Sequence, residues 1–142
     1  AGAKAAVERA IEGCKARGAK RALPLPVSVP SHCELMRPAA ERFAESIAAI
    51  NWQAPQIPLV QNVSAAVAAD LETLKRDLLE QLYKPVRWVE SVQTLAANGA
   101  TELVECGPGK VLAGLNKRCA DGVSTANLNT PDAFAAALAA QA

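Results

Sequence analysis

A single histidine, His32, stands among 142 residues, in the run Pro26-Val-Ser-Val-Pro-Ser-His32-Cys-Glu-Leu-Met36 directly after a short extended segment. A neutral imidazole is the usual side-chain proton acceptor near pH 7, and one at the mouth of a strand is well placed for that work. Residue type alone leaves a second reading open: a packed or solvated ring with no chemical role. Ser31 beside it carries a hydroxyl, but no Gly-x-Ser-x-Gly elbow surrounds it or occurs anywhere in the chain. Ser31 therefore reads as part of a pocket wall or as a cap for the helix that follows, and not as a nucleophile.

Other reactive side chains are scattered. Cys14, Cys33, Cys106 and Cys119 are far apart and form no C-x-x-C pair, so no zinc knuckle or redox dithiol is indicated. They are expected to be reduced and mostly buried, and no metal or cofactor is expected. Gly107-Pro-Gly-Lys110 resembles a phosphate loop only superficially. That motif needs four residues between its glycines and a hydroxyl residue after the lysine, where this chain has Val111. What remains is a tight strand-to-helix turn at the carboxyl end of a strand, the edge at which α/β sheets assemble their pockets.

The length suits one domain with a buried core. Thirty-one alanines and only five aromatic residues make that core one of small side chains, dominated by helices. The net charge of +1 argues against the broad phosphate contacts of a nucleic-acid binder. Residues 1–21 nevertheless carry +4 and the rest of the chain −3. That basic opening is either a face for an acidic partner or the solvated side of a helix. No charged-then-apolar leader and no run of eighteen apolar residues is present, so a cytoplasmic protein without a membrane span is the expectation.

These groups must be carried by alternating helices and short strands. Ala6, Val7, Ala10, Ile11 and Cys14 recur at helical spacing and stop at Gly18. Ala22 to Val29 reads as an edge strand running into a loop, because Pro24 and Pro26 break a helix and remove ladder donors. Met36, Ala39, Ala40, Phe43, Ile47 and Ile50 mark one face of the next helix, with Pro38 in its first turn. Ile57 to Val60 reads as a short strand. Asp70 caps a helix bearing Leu71, Leu74, Leu78 and Leu82, which Pro85 stops. Trp88 to Gly99 is a further helix, Glu102 to Glu105 a strand, and Val111, Leu112 and Leu115 mark a helix after the glycine turn. Val123 to Leu128 is a last strand before Thr130-Pro131-Asp132 opens a final helix. The repeated β-α order predicts a parallel sheet flanked by helices.

Four segments, in order, resemble one family. They are Ala1-Gly2 followed by Ala6-Val-Glu-Arg9, then Leu25-Pro-Val-Ser-Val-Pro-Ser-His32, Gln81-Leu-Tyr-Lys-Pro-Val-Arg-Trp88 and Glu105-Cys-Gly-Pro-Gly-Lys-Val-Leu112. All are similar to malonyl-CoA:acyl-carrier-protein transacylase of bacterial fatty acid synthesis, and the likeness runs from Ala1 to about Leu128. It implies an α/β fold: the C-terminal part of an α/β-hydrolase-like acyltransferase core over 28–142, and over 1–27 the last helix and strand of a ferredoxin-like subdomain.

The resemblance implies a ping-pong acyl transfer, in which a serine takes malonyl from malonyl-CoA and passes it to the phosphopantetheine thiol of an acidic acyl carrier protein. His32 matches the family's catalytic histidine, and Gln81 matches the residue whose main-chain carbonyl orients it. Ser31 would line the substrate site. The chain departs from the family in lacking the nucleophilic serine, the N-terminal oxyanion donors and the arginine that pairs with the malonyl carboxylate; neither Arg37 nor Arg87 matches that arginine. By this reading the missing N-terminal part supplies the serine and the chain alone is inactive. Two alternatives stay open: a non-catalytic carrier-protein-binding fragment, and a polyketide-type acyltransferase with another acyl unit.

Overall fold

The computed structural model describes residues 1–140. Helix α1 (Lys4–Ala16) leads into an irregular stretch, a 3-10 turn at Glu34–Met36 and helix α2 (Arg37–Ala48). Helices α3 (Leu71–Glu80) and α4 (Trp88–Ala97) follow, then strand β1 (Glu102–Glu105), helix α5 (Val111–Asn116), strand β2 (Ser124–Asn127) and helix α6 (Pro131–Ala139). The two strands are parallel, with Glu102 opposite Ser124 and Glu105 opposite Asn127. Helix α5 is the crossover between them and packs on both. The expected β-α-β order and the parallel sheet are thus both present.

Element ends fall where their chemistry dictates. Gly18 (φ 88°) and Gly99 (φ 93°) take the left-handed conformation past α1 and α4. Ala19 N–H bonds to Cys14 O and Ala100 N–H to Leu95 O, which closes both helix ends. Asp70 Oδ1 accepts from Thr73 N at 2.7 Å at the start of α3, and Thr130 Oγ1 accepts from Ala133 N at 3.2 Å at the start of α6. The core is small, built from Ala40 and Ile47 of α2, Leu74 of α3, Val92 of α4, Ala65 and Cys119. Helix α2 packs on α3, whereas α1 and α6 bury no residue.

Three expectations need correcting. Residues 22–29 form no strand. Pro24 and Pro26 offer no amide, no strand lies beside the segment among the described residues, and its bonds are local turns such as Val27 N to Leu25 O at 2.8 Å. The strand at Ile57–Val60 shrinks to one antiparallel bridge between Val60 and Val67, since Pro58 deprives it of a donor. The cysteines are free but not mostly buried: only Cys119 is buried, Cys33 is half-buried, and Cys14 and Cys106 are exposed, on the unburied α1 and in the turn after β1.

Two stability outcomes follow from these contacts. Val92→Ala opens a cavity at the most enclosed side chain and is expected to cost about 2 kcal/mol in denaturant unfolding. Asp70→Ala removes the α3 cap. The amide of Thr73 holds the Asp70 carboxyl below its ordinary range. Its contribution is therefore full above the ordinary carboxylate pKa and fades as pH falls through the lowered folded value. The difference in unfolding midpoint between wild type and Asp70→Ala should shrink accordingly in acid; a constant difference from neutral to strongly acid pH would refute the cap's charge dependence.

Candidate active site

His32 occupies an unusual backbone position: its φ is 63°, in the left-handed region that side chains enter at a cost of about 1–2 kcal/mol. That conformation is held by an external bond, because the His32 amide donates to Leu82 O at 2.9 Å. The imidazole takes the adjacent carbonyl, with Nδ1 2.8 Å from Gln81 O. A carbonyl only accepts, so Nδ1 carries a proton, and in the neutral ring it is Nε2 that keeps the lone pair. The residue as a whole is exposed.

Both carbonyls come from one place. Gln81 is the C-cap of α3, where the last carbonyls of a helix have no intrahelical donor and are free to bind outward. Pro85 prevents the chain from winding on, and residues 81–84 form a turn instead. This turn is clamped to the His32 loop a second time: the Arg37 guanidinium lies 4.2 Å from the centroid of the Tyr83 ring. Glu34 completes that contact with bonds from Arg37 Nε at 2.7 Å and Nη2 at 3.0 Å. Their mutual hydrogen bond holds the Glu34 carboxyl below its ordinary range and raises the Arg37 guanidinium further. Arg37 is thus engaged by its neighbours, as is Arg87, which donates to Ser64 O at 3.0 Å and Glu90 Oε1 at 3.3 Å.

The structure brings His32 and Gln81 together across 49 residues. Ser31 is exposed beside them, but the helix-cap part of its expected role is overturned. The residue preceding the 3-10 turn is Cys33 and that preceding α2 is Met36, and neither helix start is capped by a side chain. The Cys33 thiol donates instead to Pro30 O at 3.1 Å. Sequence reasoning missed Leu82, Tyr83 and Asn62, whose amide donates to Gln81 Oε1 at 3.1 Å. A main-chain carbonyl has no residue signature, and an asparagine in a loop reads as ordinary turn chemistry.

The glycine turn after β1 is braced by bonds of its own. Glu105 Oε2 accepts from Ala113 N at 2.8 Å and Oε1 from Leu112 N at 3.3 Å, while Asn127 Nδ2 donates to Gly109 O. A carboxylate from β1 thus occupies two of the amides at the start of α5, the helix end that favours negative charge. Among the described residues no group of three or more His, Cys, Asp or Glu side chains gathers as a metal would require, and no helix is long and apolar enough to cross a membrane.

No protein-family model matches the chain. It is 54% identical over 138 residues to the malonyl CoA-acyl carrier protein transacylases of Escherichia coli and Salmonella typhimurium, spanning 97% of this chain and 45% of theirs. Among solved structures, the malonyl-CoA:acyl carrier protein transacylase of Xanthomonas oryzae superposes with a TM-score of 0.90 at 49% identity, covering 96% of this chain and 44% of that one. A malonyl-transacylase solved in complex with a type II polyketide-synthase acyl-carrier protein matches with a TM-score of 0.90 at 47% identity, over 96% of this chain and 44% of that one. The chain therefore spans a little under half the length of the relatives it matches. Sequence and fold together make this chain similar to a little under half of each of these malonyl CoA-acyl carrier protein transacylases.

Proposed function

We propose that this chain supplies the general base, and the group that orients it, to an enzyme moving malonyl from malonyl-CoA to the phosphopantetheine thiol of acyl carrier protein in fatty acid synthesis. The single observation that carries the reading is the 2.8 Å contact between His32 Nδ1 and Gln81 O. In the neutral ring it selects the tautomer whose Nε2 is free to take a hydroxyl proton. The serine that presents that hydroxyl comes from the remainder of the protein, since this chain has no Gly-x-Ser-x-Gly.

In the first half-reaction His32 Nε2 takes the serine proton as the oxygen attacks the malonyl thioester. The imidazolium then returns the proton to the departing coenzyme A thiolate, leaving malonyl-serine. In the second half the carrier's thiol loses its proton to the same nitrogen, attacks the acyl-serine, and serine recovers the proton. Gln81 O stays bonded to Nδ1 throughout and stabilises the positive ring at each stage, as the third member of a triad does. Ser31 lines the acyl site. In this reading residues 1–27 belong to a ferredoxin-like subdomain and 28–142 to the acyltransferase core. The protein works in the cytoplasm without a cofactor, and this chain by itself is inactive.

The test uses the full-length enzyme containing this segment. His32→Asn is the variant of choice, because asparagine tolerates the left-handed backbone while lacking a basic nitrogen. Transfer of labelled malonyl to carrier protein should fall ~10²–10⁴-fold, the usual worth of a positioned acid-base group. A rate within a factor of two of wild type would remove His32 from the chemistry. Separately, this chain assayed alone should transfer no malonyl, and adding the N-terminal portion with its serine should restore transfer; turnover by the chain alone would place the nucleophile here instead.

A further inference from the structure

We infer that Asn62 is a positioning residue for this reaction: it grips the Gln81 side chain and thereby aims the Gln81 carbonyl at His32. The inference rests on the role just proposed for His32 and goes beyond it. Gln81 is held from two sides, through its carbonyl by the His32 ring and through its side-chain Oε1 by Asn62 Nδ2 at 3.1 Å. With both ends of one residue fixed, the torsions between them are fixed as well. A C-cap residue otherwise frays, since nothing beyond it continues the helix.

Asn62 can serve as an anchor because its own loop is anchored. Its carbonyl accepts from Arg87 N at 2.9 Å. Gln61 closes the loop by bonds between its amide and Ala66 O at 3.0 Å and between its carbonyl and Ala65 N at 2.8 Å. The buried Gln61 side chain donates to Leu74 O in α3, Arg87 Nη1 donates to Ser64 O, and Thr94 Oγ1 of α4 donates to Ala65 O. Residues 61–66 therefore join the middle of α3 to the start and body of α4. The Asn62 amide is the point at which that framework meets the residue that orients the base.

The experiment uses the full-length transacylase and the malonyl-CoA to carrier-protein assay. Asn62→Ala should lower kcat ~10-fold, within the range that small misplacement of a catalytic group costs, and leave KM for malonyl-CoA within about two-fold. Gln81→Ala keeps the carbonyl and leaves the loop intact, so it reads the same contact from the other side and should match that loss. The double variant should be no worse than either single one, because each breaks the same bond. Asn62→Asp should recover most of the rate, since the Gln81 amide can turn and donate to the carboxylate, whereas Asn62→Leu should not.

In enzyme labelled with 15N-histidine, the Nδ1 proton of His32, assigned by its loss in His32→Asn, should exchange faster with water in Asn62→Ala. Unchanged kcat and exchange in Asn62→Ala and Gln81→Ala, or additive losses in the double variant, would overturn the inference. If His32→Asn is inactive while those variants keep wild-type kcat, only the role of Asn62 falls. An active His32→Asn removes the base itself, and this inference with it.

Discussion

The site is organised by the end of one short helix. Two consecutive carbonyls, Gln81 O and Leu82 O, receive the ring and the main-chain amide of the same residue, His32. The first bond selects a tautomer; the second maintains a left-handed backbone that would otherwise relax. Neither donor nor acceptor belongs to a sheet, so the geometry depends on α3 stopping where it does. Pro85 sets that limit from downstream, and the Asp70 cap sets the other end of the helix. A one-residue slip of α3 would turn these carbonyls about 100° away from the imidazole.

Around this contact several polar side chains join one segment to another. The stack of Arg37 on Tyr83 ties the entry to α2 to the turn after α3. Trp88 Nε1 donates to Asn116 Oδ1 at 3.1 Å, linking α4 to the crossover helix, and Gln93 Nε2 reaches Cys119 O at 3.3 Å. Such bonds matter here because alanine-rich helices bury little apolar area, so side-chain dispersion contributes less to fixing their relative positions. The pairs Lys15–Glu12, Lys4–Glu8 and Lys75–Glu72 each lie within a single helix and add little to the arrangement.

Much of the fold was legible because its signals are local. Glycines at helix ends, Asp70 and Thr130 at helix starts, and the period of α4 each act within a turn or two of themselves, and the structure places every one where the pattern did. The segments that misled were those whose state depends on a neighbour. Ala22 to Val29 has strand composition and no strand to pair with, and Ile57 to Val60 finds only one bridge. The site was legible to the same degree. His32 stood out as a lone imidazole, but Gln81 meets it through its carbonyl, which its residue type does not advertise, and only the family resemblance pointed to it. Leu82 and Asn62 were out of reach, since their roles exist only once Leu82 meets His32 and Asn62 meets Gln81, partners distant in the sequence.

The irregular stretch before His32 has a consequence for how the polypeptide behaves in water. Leu25 is 76% exposed and Val27 71%, and with Leu23, Val29 and Leu35 they border a broad groove of about 1450 Å³ against α1. An apolar ribbon of this kind sits uncomfortably beside solvent, and salts such as sulfate that strengthen hydrophobic association deepen the discomfort. In a test tube an apolar strip of the chain therefore leads straight to its histidine, and colloidal clumping at that strip would begin beside the ring.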